Sequence, residues 1–162
     1  MNRRASSSVR SYVLADSAIT RLQKLIELKR DPQNFPDRTP RIRDSLLGLG
    51  RCLLRQQAFA DAEPVLREAL ELAKESAPDN WRTAATKSML GESLAGQEKF
   101  EQAEPMLLDS HDKLVQGRAT MPPWEQPRQV SQAVRRLVEM YTAWGKTEDA
   151  DKWTGELENA VD

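Results

Sequence analysis

A chain of 162 residues with 39% hydrophobic content suits one domain or one short solenoid, and a core of that size needs no covalent staple. A single cysteine, Cys52, and a single histidine, His111, exclude an intramolecular disulfide framework, a thiolate zinc site and a histidine-based metal cluster. The net charge of −1 conceals an asymmetry, with residues 1–60 at +7 and residues 61–162 at −8. A solvated surface accounts for it, while a basic front also suits an acidic partner, nucleic acid or head-to-tail contact between molecules.

Ala, Leu, Glu, Gln, Arg and Lys dominate, and aromatics are only 6%, so helices are expected throughout. Residues 1–10 read as a disordered lead. Arg3-Arg4-Ala5-Ser6 resembles a basic-directed kinase site, and the Arg/Ser-rich start resembles a mitochondrial transit peptide, but no apolar core follows as a secretion signal requires. Residues 11–30 carry an extra helix, about Ser11–Lys29, with Ala15, Ala18, Ile19, Leu22 and Ile26 on one face. Asp31-Pro32 ends it, because proline disfavours the helical conformation in the residue before it. No apolar run approaches the roughly 20 residues that span a bilayer, so no membrane contact and a cytoplasmic setting are expected.

Three helical pairs then follow, over 41–76, 81–116 and 124–160. The first joins Arg41–Gln56 to Ala60–Glu75 through a brief turn at Gln57–Phe59. Gly48 and Gly50 lie inside a regular apolar pattern, which suggests close approach by a neighbouring helix. Pro64 falls near the start of the second helix, where a missing backbone donor costs least. The second pair joins Trp81–Gln97, capped by Asp79 or Asn80, to Glu101–Val115. A longer connection, Gly117–Pro127, leads to Arg128–Trp144 and Thr147–Asn159, joined at Gly145-Lys146.

The first two pairs repeat. Leu49, Gly50, Leu53, Gln56, Phe59, Ala62, Glu63, Pro64 and Leu66 recur as Leu90, Gly91, Leu94, Gln97, Phe100, Ala103, Glu104, Pro105 and Leu107, at a constant offset of 41. The third copy is degenerate: Leu137, Tyr141 and Ala150 follow Leu90, Leu94 and Ala103 at an offset of 47, the excess falling in the proline-containing connection.

A leucine-glycine pair, a large residue three further on, a small residue early in the second helix, a bulky residue and another small one together resemble the tetratricopeptide repeat. The roles fall on Leu49, Gly50, Leu53, Ala62, Leu66 and Ala69, and again on Leu90, Gly91, Leu94, Ala103, Leu107 and Ser110. The third set is Leu137, Val138, Tyr141, Ala150, Thr154 and Leu157. The period exceeds the usual length of about 34 and resembles the long-repeat variety of kinesin light chains. AEPVLREALEL and WGKTEDADKW also resemble helical arrays attached to bacterial serine/threonine kinases. The resemblance implies an all-α, right-handed superhelical α-solenoid of about three hairpins preceded by one helix.

It also implies a concave groove, lined by each pair's first helix, that holds an extended peptide. The groove spacing falls on Asp44, Leu47, Arg51 and Leu54, then on Ala85, Ser88, Glu92 and Ala95, then on Gln132, Arg135, Glu139 and Thr142. Arg51 and Arg135 against Glu92 and Glu139 suit a peptide with both charges; mutual or solvent pairing is the alternative. One subtype captures the carboxylate of chaperone tails, but among the corresponding Leu47, Arg51, Met89, Gln132 and Arg136 only Arg136 fits.

Nothing suggests catalysis or a cofactor. Gly48-Leu49-Gly50 lacks the Lys-Ser/Thr of a phosphate loop. His111 reads as solvated surface, Cys52 as small core filler, and Trp144 with Trp153 as the closing of the last hairpin. Glu63/Glu68 and Asp149/Asp151 read as helix-surface charge. The expected function is a non-catalytic module for a protein or peptide partner, without metal, cofactor or nucleic acid. The alternative is a structural or self-associating extension, possible as a homo-oligomer, within a signalling protein.

Overall fold

The computed structural model describes residues 19–27 and 39–159. The expected disordered lead, the first turns of the expected Ser11–Lys29 helix and the loop before Pro40 lie outside them. Helix α1 covers residues 19–27 and is followed by α2 (Thr39–Arg55), α3 (Phe59–Ser76), α4 (Trp81–Ala95), α5 (Phe100–Gln116), α6 (Gln126–Trp144) and α7 (Thr147–Asn159). A single 3-10 turn, Gly117–Thr120, lies between α5 and α6, and there is no strand among the described residues. The fold is all-α, a solenoid of stacked helical hairpins as expected.

Each helix packs on the next in sequence from α2 to α7. Among helices one apart, α2 meets α4 and α4 meets α6. The first helices of the three hairpins therefore converge on the inner side, and α3, α5 and α7 form the outer one. One continuous core runs through the stack, with Leu66, Leu94, Ala103, Leu107 and Leu137 fully buried.

Three identical turns explain the hairpins. Gln57, Glu98 and Gly145 occupy corresponding positions and have φ of 58°, 61° and 76°. In each turn the following amide reaches back to a carbonyl in the first helix: Ala58 to Leu53, Lys99 to Leu94 and Lys146 to Tyr141, all at 3.0 Å. That double reversal satisfies carbonyls the helix end would leave open. Only the third copy uses the glycine that a left-handed residue favours.

Small residues set how closely the helices approach. A methyl group at Gly50 would stand 2.5 Å from Leu66 Cδ2, and one at Gly91 2.7 Å from Leu107 Cδ2. At Gly96 it would meet the Phe59 ring at 2.4 Å. Gly48 differs from expectation: its nearest neighbour, Leu22 of α1, is at 3.7 Å, an ordinary contact.

Other departures have physical causes. Phe59 and Phe100 begin their helices and do not end the turns; each faces the next hairpin, Phe59 against Gly96 and Phe100 stacked on Trp144 at 5.4 Å. Pro64 and Pro105 consequently sit deeper in α3 and α5 than the expected start implied. The carbonyl of Phe59 turns outward to accept from Ser93 Oγ at 2.8 Å. Helix α6 begins at Gln126, ahead of the expected Arg128, because Pro127 in its first turn removes no hydrogen bond the helix needs. Asn80 supplies the cap of α4, its side chain accepting from the Arg82 amide at 2.9 Å. His111 is not solvated surface; its ring stands edge-on to Trp153 with centroids 4.9 Å apart, closing α5 against α7.

Candidate functional site

The concave face carries three adjoining clefts. The central one, about 370 Å³, is walled by Arg51, Leu54 and Arg55 of α2, Ala85, Met89 and Glu92 of α4, and Arg128, Gln132 and Arg136 of α6. A second, about 360 Å³, extends past Asp44, Leu47 and Trp81 to the segment holding Pro122 and Trp124. The third, about 190 Å³, lies toward the other end, against Phe59, Glu92, Ala95, Arg136 and Glu139.

Helical periodicity puts these side chains together. On α2, Asp44, Leu47, Arg51 and Leu54 share the face that the first two clefts open onto, as expected. Leu54 and Met89 are buried and give the floor an apolar surface. On α4, Ala85, Glu92 and Ala95 line the clefts, but Ser88 does not: it is fully buried, and its hydroxyl accepts from Arg136 Nη1 at 3.1 Å. On α6, Gln132 and Glu139 line the clefts, whereas Arg135 and Thr142 line none of the three. Arg136 and Ala143 take those places, and the Thr142 hydroxyl donates to its own helix at Val138, 2.7 Å away. A step of three residues turns short of a full helical cycle and a step of four turns past it, at about 100° per residue. In α4 and α6 the inner line follows the four-residue step where the three-residue step was expected.

Several charges in the clefts are already paired. The Arg136 guanidinium donates through Nε to Glu92 across the α4–α6 joint. Arg128 pairs with Glu125 at 3.0 Å, and Arg43 with Asp44 at 3.2 Å. The Gln129 amide, with Arg128 beside it, holds the Glu125 carboxyl below its ordinary range. Burial pushes the Glu139 carboxyl above its ordinary range, reinforced by the Glu92 charge and partly offset by Arg135 and Arg136. Arg51 and Arg55 are exposed, and neither has an ion-pair partner among the described residues.

Two contributors, Arg55 and Trp124, had no sequence signal strong enough to single them out. Arg55 falls one residue outside the expected spacing, while Met89 and Arg136 were named only at the positions of the carboxylate-capturing subtype. Trp124 sits in the connection, where no helical pattern applies, and is 77% exposed, the most exposed large hydrophobic residue among those described. Cys52 is half-buried along the central cleft and is not core filler. Among the described residues no group of His, Cys, Asp and Glu is arranged to hold a metal ion, and no helix is long and apolar enough to cross a membrane.

Residues 41–113, from the start of the first hairpin into α5, match the tetratricopeptide repeat family model. No curated protein matches the chain.

Proposed function

We propose that this chain is a non-catalytic interaction module that holds an extended segment of a protein partner along the face shared by α2, α4 and α6. The observation that carries the reading is the central cleft, built from three hairpins at once and lined where the copies disagree: Arg51 and Glu92 occupy equivalent positions, and Glu139, their counterpart in the third copy, lines the adjoining cleft. Residues common to the copies are spent on stacking, so partner choice falls to those that differ. The family match adds support, since tetratricopeptide repeats generally mediate protein–protein interaction and are generally non-catalytic. The 41-residue offset supports a place among long-repeat, kinesin-light-chain-like arrays of signalling proteins.

The test is to fill the cleft. Peptides selected on the protein from a random display library should lose binding to Gln132→Trp and keep it with Glu101→Trp on α5. Equal binding to both variants rules the groove out.

A second reading, self-association through unlike ends, is favoured by one observation: α7 bears Glu148, Asp149, Asp151, Glu156 and Glu158 against Lys152 alone, while the front of the chain is basic. Light scattering in low salt should then show concentration-dependent oligomers that dissolve in high salt; a monomer throughout sinks it.

A further inference from the structure

We propose that the α2 end of the cleft is a binding site for an acidic peptide segment, whose side-chain carboxylates are held by Arg51 and Arg55 while Trp124 covers a neighbouring apolar residue. The proposal rests on the groove reading above and names its occupant.

The charge balance decides the ligand class. Glu92 is engaged by Arg136, Glu125 by Arg128 and Gln129, and Asp44 by Arg43. Arg51 and Arg55 are left exposed with no carboxylate in ion-pair contact among the described residues, Arg51 acting on Glu125 only at longer range, on a cleft whose floor is the apolar Met89 and Leu54. A guanidinium offers a planar fork matched to a carboxylate, and an apolar floor that excludes water strengthens that attraction.

Geometry sets the spacing. Arg51 and Arg55 lie one turn apart on the same helical face, about 6 Å along the axis. In an extended peptide, side chains two residues apart face the same way about 6.6–6.8 Å apart. The site therefore reads an acidic residue, any residue, then a second acidic residue. Trp124 is 77% exposed and lines the same cleft as Arg51, which places a large apolar surface beside the charged pair. Tryptophan and arginine are the side chains that most often dominate binding at interfaces. Glu139 at the opposite end repels further acidic residues and so orients the segment.

The experiment selects binders from a random 12-residue library held within a display protein, so that no peptide has a free C-terminus. The enriched sequences, made as fluorescein-labelled peptides, should carry acidic residues two apart next to an aromatic or aliphatic one. Arg51→Glu with Arg55→Glu should weaken binding more than about tenfold, Trp124→Ala by about tenfold, and added salt should weaken the wild-type complex. Circular dichroism of each variant should match wild type, since all three positions are exposed. Neutral or basic peptides that still depend on an open cleft, tested by Gln132→Trp, overturn the acidic assignment and leave the groove standing. Binders indifferent to Gln132→Trp overturn both. Displacement of the acidic peptide by oligouridylate at matched charge overturns the assignment to a peptide.

Discussion

Lys99 Nζ lies 2.8 Å from Glu63 Oε2, tying the turn of the second hairpin to the outer helix of the first. The contact recurs one joint further on, where Lys146 Nζ stands 3.2 Å from Glu104 Oε1. The turn geometry delivers both lysines, because each is the residue just after the left-handed one.

The first joint makes stability depend on acid. Hydrogen bonds from Lys99, Arg67 and Gln97 bring the Glu63 carboxyl down from 4.5 to about 2. A depressed folded value means that the contribution is complete above pH 4.5 and is lost as pH falls toward 2. Glu63→Gln should lower unfolding free energy at pH 7 by about 1–2 kcal/mol, discounted for the half-exposed lysine and arginine. Urea titrations from pH 7 to pH 2 should show wild type and variant converging at the acid end.

The three turns offer a graded test. Glu98 holds φ of 61° without being glycine, whereas Gly145 adopts the same conformation at 76°. Glu98→Gly should stabilise the protein by up to about 1 kcal/mol, and Gly145→Ala should destabilise it by about 1–2 kcal/mol. Thermal midpoints moving in opposite directions are the expected result.

Close approach can be separated from helix propensity by two alanines. A methyl at Gly91 would stand 2.7 Å from Leu107, whereas nothing lies within 4 Å of one at Gly155 in α7. Gly91→Ala should cost about 1–3 kcal/mol through overpacking. Gly155→Ala should gain up to about 1 kcal/mol from propensity alone. Denaturant midpoints of the two variants, measured beside wild type, check both signs.

Glu139 should behave in the opposite sense to Glu63. Its carboxyl titrates above the usual range because of burial and Glu92, so ionisation works against the fold at neutral pH. Glu139→Gln should stabilise at pH 7 by less than about 1 kcal/mol, an exposed and screened effect. The gain should vanish in acid, where the wild-type carboxyl is protonated in both states. Carboxyl NMR titration gives the underlying shift directly.

The repeat carried the fold because its signature residues answer to stacking alone: Gly50, Leu66, Gly91 and Leu107 meet as their spacing requires. The cleft was legible on α2, where Asp44, Leu47, Arg51 and Leu54 fall as expected. It departs from the expected line on α4 at Ser88 and on α6 at Arg135 and Thr142, where a four-residue step replaces the expected three-residue one whether or not the glycine is present. One residue of rotation moves the inner arginine from 135 to 136, and adjacent residues on a helix point about 100° apart. Trp124 was illegible for a different reason: periodicity has nothing to say about a connection between helices.

The Arg136 guanidinium, joined to both Glu92 and Ser88 of the preceding hairpin, acts as a tie rod across the concave side. A segment held from α2 to α6 as proposed would span two joints of the stack and meet that rod at the second. On the proposed reading, occupancy and curvature would be one mechanical variable: a segment wedged in the cleft would brace the array, and bending the array would alter the fit.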